Sequence, residues 1–244
     1  MTIWTFVLLL VGGVFAGGIN AMAGGGSILT VPLLVVAGVP GAAANGSNRV
    51  GVLTSNLSSA AAFRRLGVDG LGHVTSILIP VIGGSLVGSI GISRLADEQF
   101  ETAFGLLMIP LIILSLKKPN VDTQRPPWTR TTTVVVFFAI GIYGGAFQAG
   151  VGLVLLAALG RAGYDLVTAN HIKVVITLTV TAIALPVFIA AGQIRWLPAL
   201  VLAVGFSLGG WFGARLAVAG GDRLIRGVMF VCALVLAGRL LGLY

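Results

Sequence analysis

The chain alternates long apolar runs with short polar stretches. In the first half the apolar runs cover Ile3–Met22, Ile28–Gly38, Ala42–Phe63, Val74–Ile92 and Phe100–Leu116. In the second half they cover Thr132–Ala149, Leu153–Leu159, Leu166–Ala191, Leu197–Val218 and Leu224–Leu243. A helix needs about 20 apolar residues to cross the ~30 Å hydrocarbon core of a bilayer. The second run of each half is too short to cross, whereas the other runs reach or nearly reach that length.

The composition supports a membrane protein. Of 244 residues, 57% are hydrophobic and only 9% are charged, whereas a soluble domain carries about 25% charged residues. This balance excludes a soluble enzyme, a nucleic-acid-binding module and a disordered tail. The net charge of +8 is typical of membrane proteins with Lys- and Arg-rich cytoplasmic loops. The chain is therefore predicted to be an all-α integral membrane protein, a polytopic helical bundle that binds no nucleic acid.

The two halves of the chain resemble each other. Glycine-rich elements recur in the same order, with Gly13–Gly17 matching Gly141–Gly145 and Gly84–Gly88 matching Gly209–Gly213. We therefore predict a first transmembrane repeat over residues 1–116, a polar linker over 117–131 and a second repeat over 132–244. The basic linker is expected on the cytoplasmic side. The charges of the other loops then favour two homologous halves of inverted orientation.

A glycine-rich break interrupts the apolar pattern near the start of each half. The first reads Asn20-Ala21-Met22-Ala23-Gly24-Gly25-Gly26-Ser27, and the second reads Gln148-Ala149-Gly150-Val151-Gly152. Clustered glycines end helices, so a short broken or re-entrant helix is expected after each break. Its free N–H groups would form an anion site at the positive end of the helix dipole. Interrupted segments at corresponding places in two halves indicate a transporter site, although glycines also let membrane helices pack closely.

Ionisable residues favour an anion as the ligand. All seven acidic residues fall at predicted helix ends or loops, which disfavours carboxylate-based cation sites and proton relays. Two basic residues, Arg49 and Lys173, lie near the start of the third run of each half and coincide to within one residue when the halves are aligned. Buried cations without acidic partners favour a bound anion. The alternative is that both side chains extend to the membrane interface.

Neighbouring polar residues complete the predicted site. Asn56 lies two turns after Arg49 on the same helix face. His171 could titrate, but it lacks a nearby carboxylate, so a structural or interfacial role is the alternative. The predicted substrate-binding residues are Asn20, Gly25, Gly26, Ser27, Ser47, Asn48, Arg49, Asn56, Gln148, Asn170, His171 and Lys173.

Motifs of enzymes are missing from the sequence. There is no serine–histidine–acid set, no HExxH motif and no Cys/His spacing for a metal. The stretch Gly24-Gly25-Gly26-Ser27 is not a phosphate-binding P-loop, because no lysine follows it. We therefore expect neither enzymatic activity nor a metal or other cofactor.

Several motifs resemble the TauE/SafE family of sulfite exporter-like proteins. They span nearly the whole chain and comprise Ser27–Leu34, Gly38-Val39-Pro40, Ala44–Arg49, Phe63–Asp69, Ala169–Lys173 and Ala191–Trp196. The resemblance implies a multi-pass protein of the cell inner membrane, with two related halves, that moves sulfur-containing anions. This chain departs from the family at Ser47-Asn48-Arg49 and in its reduced second glycine cluster.

Residues and resemblance together give one functional hypothesis. The chain would transport sulfite, thiosulfate or organosulfonates by alternating access at a mid-membrane site between the two repeats. The alternatives are an anion-selective channel and a membrane-embedded partner protein that carries no flux. The expected partners are a small inorganic or organic sulfur anion and membrane lipid, and a homo-oligomer is compatible with the sequence.

Overall fold

A computed structural model describes residues 1–68, 72, 74–100, 102–104, 106 and 128–240, with side chains of the last helix described to residue 220 and at 224. Within this part of the chain the regular structure is helical, without strands. The helices are α1 (Ile3–Ala23), α2 (Gly26–Val36), α3 (Gly41–Arg65), α4 (Thr75–Ile92), α5 (Arg130–Ala146), α6 (Val151–Arg161), α7 (Leu166–Ala190) and α8 (Trp196–Leu240). Most of the predicted linker 117–131 and of the run Phe100–Leu116 lies outside the described residues.

Four of the described helical segments are long and apolar enough to cross a bilayer. They are α1, α4, α7 and the portion Trp196–Gly220 of α8. Large apolar side chains such as Trp4, Phe15 and Ile79 are exposed on the outside of the bundle, as expected of surfaces that contact lipid. The prediction of an all-α membrane protein is thus confirmed.

Helix α3 is as long as α7 but much more polar. Its buried residues include Asn45, Ser47, Asn48, Arg49 and Asn56. The helix packs on α2, α7 and α8, so these buried polar side chains face protein and not hydrocarbon. A membrane helix enclosed in this way needs no apolar surface of its own, because neighbouring helices supply hydrogen-bond partners.

The two halves pack on each other through corresponding pairs of helices. Helix α1 lies along α8, and α5 lies along α4; α3 also packs on α8, α7 also packs on α4, and α3 and α7 meet. Glycines permit the closest approaches. A Cβ on Gly17 would lie 2.5 Å from the Phe206 carbonyl oxygen, and Gly84 fits equally closely against the α5 backbone at Phe138. Each half is therefore joined to the other along two helix pairs.

The last helix differs from its prediction. The sequence indicates two runs separated near residues 219–223, but α8 continues through this region for 45 residues, or about 67 Å. Gly220 is exposed, and the side chain of Leu224, one turn later, lies where its Cβ would be.

Candidate functional site

Each half contains a short helix that follows a glycine in the left-handed conformation. Gly24 has φ 76° before α2, and Gly150 has φ 72° before α6. Both α2 and α6 contain 11 residues, which gives each a length of about 16 Å, roughly half of the hydrocarbon thickness. The prediction of a short helix after each break is confirmed.

The two breaks touch each other inside the bundle. The backbone of Gly24 packs directly on that of Gly152, so closely that a Cβ on either would overlap the other. The N-cap residues of α2 and α6 are Gly25 and Gly150, and neither helix has a side-chain cap. Some of the first N–H groups bond local carbonyls, as Ile28 does to Gly25 and Leu153 to Gly150. Two positive helix ends without side-chain caps nevertheless lie close to the same contact.

Arg49 crosses from α3 to the end of α5, in the other half. Its Nη1 donates to the carbonyl of Gly144 at 3.2 Å, and Nη2 donates to those of Gly145 at 2.5 Å and Ala146 at 3.0 Å. Its guanidinium carbon also lies 4.3 Å from the centre of the Phe188 ring. These carbonyls belong to the last turn of α5, where backbone acceptors have no intrahelical partner. Arg49 therefore caps the negative end of α5.

Lys173 makes the corresponding crossing in the opposite direction. From α7 its Nζ donates to the carbonyls of Asn20 at 2.7 Å and Ala21 at 3.1 Å, in the last turn of α1. Both cations are buried, at 0% exposure for Arg49 and 1% for Lys173. Within the described residues, neither forms an ion pair with a carboxylate. Each half thus supplies the cation that caps the broken helix of the other.

A second polar network joins α2 to α3. The Asn48 amide donates to Ser27 Oγ at 2.9 Å and accepts from Thr30 Oγ1 at 2.5 Å. All three side chains are buried. The predicted residues Ser27 and Asn48 are therefore together, but they hydrogen-bond each other and fix α2 on α3.

Gln148 occupies an unusual backbone position. Among the described non-glycine residues it alone has a positive φ, of 60°, which costs an ordinary residue about 1–2 kcal/mol. Its Nε2 donates to Thr181 Oγ1, and its Oε1 is buried without a partner. A glycine would adopt this backbone conformation without strain, so the amide side chain is retained at a conformational cost.

Several buried polar atoms lack a hydrogen-bond partner. Asn170 is fully buried with both its Nδ2 and its Oδ1 unpaired, and the Nδ2 of Asn20 and the Nε of Arg49 are also unpaired. Buried polar groups are normally satisfied, since each unsatisfied one costs about 1–3 kcal/mol. Asn20 lies one turn before the first break, and Arg49 and Asn170 lie on α3 and α7, the helices that carry the two cations. Unpaired buried donors on these helices are expected of a polar ligand site.

The remaining predicted residues have separate positions. Ser47 Oγ accepts from the backbone N–H of Arg195 at 2.8 Å, so it holds the turn before α8. Asn56 donates to Val52 of its own helix at 2.9 Å. His171 stacks on Phe63 with ring centres 5.3 Å apart and lines a cavity at the end of α3.

Three residues of these networks were not in the predicted set. Asn45 donates to the Ala146 carbonyl at 2.8 Å, beside Arg49, and Thr30 and Thr181 bond Asn48 and Gln148. The internal repeat could have indicated Asn45, because Asn45 aligns with Asn170, which was predicted. Among the described residues there is no cluster of His, Cys, Asp or Glu that could hold a metal ion.

Comparison with known proteins places this architecture among membrane transporters. The sequence profile of the family described as Sulfite exporter TauE/SafE matches residues 9–240. A probable membrane transporter protein of Haemophilus influenzae is 28% identical over 233 residues, which cover 93% of this chain and 91% of the relative. The probable membrane transporter protein YfcA of Escherichia coli (strain K12) is 27% identical over 230 residues, covering 93% of this chain and 86% of the relative. No solved structure matches the chain.

Proposed function

Because the chain belongs to the sulfite exporter TauE/SafE family, a family of multi-pass membrane transporters and not of enzymes, we propose that its substrates are small sulfur oxyanions and sulfonates. Sulfite, thiosulfate and short organosulfonates are the candidates. The proposed site lies where the Gly24 and Gly152 breaks meet. Bacterial relatives named as membrane transporters agree with the predicted inner-membrane location.

The observation that carries the proposal is the chemistry around the touching breaks. The two helix N-termini that meet there have no side-chain cap, and the two buried cations bond the helix ends just before the breaks. Asn20 and Asn170 carry unpaired amides, and no carboxylate is among the described buried residues. Helix N-termini and cations both favour negative charge. An oxyanion presents several acceptors and would satisfy the donors left unpaired on Asn20, Asn170 and Arg49.

Arg49 and Lys173 serve two purposes in this proposal. A lysine ammonium has three donors and an arginine guanidinium has five, and the backbone carbonyls take two and three of them. Each cation can therefore cap a helix end and still donate to an anion. Their positive charge also offsets the desolvation of the substrate in an interior of low dielectric constant.

We further propose that transport proceeds by alternating access. The breaks meet through the backbone of Gly24 and Gly152. The helices before them, α1 and α5, each end on a cation held by the opposite half. Movement of one half relative to the other would shift the helix N-termini and the cations together. The site could then open to either side without separate charged groups for each state.

Uptake and counterflow in proteoliposomes test the proposal directly. Labelled sulfite, thiosulfate, sulfate and a short sulfonate are compared with chloride, for the wild type and for Asn170→Ala. Loss of one hydrogen bond to a charged ligand corresponds to about a 10- to 150-fold loss of affinity. Folding is expected to be unchanged or improved, because the Asn170 amide has no protein partner. Thr179→Ala, a variant on the other face of α7, is the matched control.

Saturable counterflow of a sulfur anion that is weakened by Asn170→Ala and kept by Thr179→Ala supports the proposal. Conductive flux without counterflow would refute alternating access and indicate an anion-selective channel. Flux of none of the sulfur anions would refute the proposed substrate class, and equal flux in both variants would refute the proposed site.

A further inference from the structure

A cavity of about 830 Å³ lies at the C-terminal end of α3, apart from the two breaks. We call it the α3-end cavity; its lining includes Ala61, Arg64, Arg65, Val68, His171 and Val175. Ala61, Arg64 and Arg65 are exposed, whereas His171 is buried, so the cavity is open at the α3 end and closed towards α7. Its volume is roughly that of 25–30 water molecules, enough for a small anion with much of its hydration shell.

The wall of the cavity is positively charged. Arg64 and Arg65 form the last turn of α3, and neither makes an ion pair with a described residue. Arg65 lies 5.2 Å from the centre of the Trp211 ring, and Arg215 lies 4.8 Å from the same ring. Guanidinium groups on an aromatic ring keep their charge and several donors available. None of the described residues that line the cavity is acidic.

The inner wall of the cavity belongs to the helix that carries the buried polar groups. His171 lines the cavity, and its neighbour Asn170 is fully buried with both amide atoms unpaired. Val175, one turn after His171, lines the cavity as well. Two adjacent residues of α7, His171 and Asn170, therefore belong to the wall of the cavity and to the proposed substrate site.

We propose that the α3-end cavity is a second anion site, in which an oxyanion is held before it enters the site between the breaks. The proposal rests on the proposed function for the identity of the transported anion. Arg64 and Arg65 attract the anion by charge, in the way that clefts of one sign concentrate their ligands. By the positive-inside rule this end of α3 faces the cytoplasm, so the cavity would serve anions that leave the cell.

A cysteine placed in the cavity measures its charge without requiring transport. Ala61→Cys is made in a Cys232→Ser background, since the chain has one natural cysteine. The variant is labelled with the anionic sulfonatoethyl methanethiosulfonate and with the cationic trimethylammonioethyl methanethiosulfonate. The ratio of the two rates, relative to a free thiol, is expected to favour the anionic reagent. Replacing both arginines, by Arg64→Gln and Arg65→Gln, should lower this ratio about fivefold or more.

Two controls isolate the effect of the cavity. Arg94→Gln removes an exposed arginine that does not line it, and should leave the ratio at Ala61→Cys unchanged. Ala162→Cys places the thiol on an exposed turn after α6, where the Arg64→Gln and Arg65→Gln changes should have no effect. A ratio at Ala61→Cys that does not respond to removal of both arginines would overturn the proposal.

Protection from labelling identifies the source of the anion. Methanesulfonate or sulfate should slow the labelling of Ala61→Cys in vesicles of phosphatidylcholine alone, which supports a site for a free anion. Slower labelling only when phosphatidylglycerol is present would assign the cavity to a lipid headgroup and overturn its place in the transport path. Counterflow is read separately, so the failure of this site is distinguishable from the failure of the proposed function.

Discussion

Each half supplies a cation that caps a helix of the other half, and removing these two cations should lower the free energy of unfolding by unequal amounts. Arg49→Met removes the donors of three carbonyls, but Asn45 still donates to Ala146 at 2.8 Å. The carbonyls of Gly144 and Gly145 are then left without their donor. Since an unsatisfied buried carbonyl costs about 1–3 kcal/mol, the free energy of unfolding should fall by about 2–6 kcal/mol.

Lys173→Met is expected to cost about half as much. The Asn20 carbonyl keeps a donor, because the backbone N–H of Gly24 bonds it at 2.9 Å, and only Ala21 is left unsatisfied. The expected loss is about 1–3 kcal/mol. Both substitutions also remove a cation from the interior, which is favourable. This gain in stability is similar for the two variants, because both side chains are almost fully buried. The difference in their free energies of unfolding therefore remains.

Equilibrium unfolding by SDS in mixed micelles measures both losses. The wild type and the two variants are compared at one pH, with secondary structure followed by circular dichroism. A greater loss for Arg49→Met than for Lys173→Met supports the assignment of the two residues as helix caps. Equal losses, the reverse order or no loss in either variant would refute the reasoning.

Two further predictions concern the backbone and the N-terminus of α7. Gly24→Ala should destabilise the protein strongly, because the added Cβ overlaps the Gly152 backbone. Gly163→Ala, at φ 91° with open space around it, should cost only about 1–2 kcal/mol. Similar melting temperatures for the two variants would contradict this prediction. The Asp165 carboxylate accepts from two backbone N–H groups at the start of α7, each at 3.0 Å. Partial burial acts to raise the pKa of Asp165. The hydrogen bonds outweigh burial, so the pKa lies below its ordinary value of 3.8. Asp165→Ala should therefore cost about 1 kcal/mol at neutral pH, and the cost should disappear as the pH falls from 3.8 through the lower pKa of the folded state; a loss of stability that stays constant down to about pH 2 would contradict it.

Local sequence patterns predict most of the helices. The apolar runs and the glycine breaks locate α1 to α7 within a few residues, because run length and helix-breaking residues are read from neighbours in the chain. The break expected near residues 219–223 is wrong, since α8 continues through them. The inverted orientation of the halves stays a prediction.

The partners of the buried cations could not be predicted in the same way. The sequence indicates that Arg49 and Lys173 are related and lack acidic partners, which favours an anion. It does not tell which helix end lies opposite each side chain, because that depends on contacts between residues about 100 or 150 apart in the chain. The helix carbonyls as acceptors, and the position of the α3-end cavity, therefore required the structure.

The pairing of α1 with α8 has a consequence for synthesis of the protein. Roughly 170 residues separate the end of α1 from the start of α8, and Lys173, which caps α1, also belongs to the second half. A ribosome that adds about 5–20 residues per second needs on the order of 10–30 s to cover this distance. Throughout that time α1 is in the membrane without its main packing partner. Chaperones or translocon components that shelter the first helix should thus influence the yield of folded protein more than those that act on later helices.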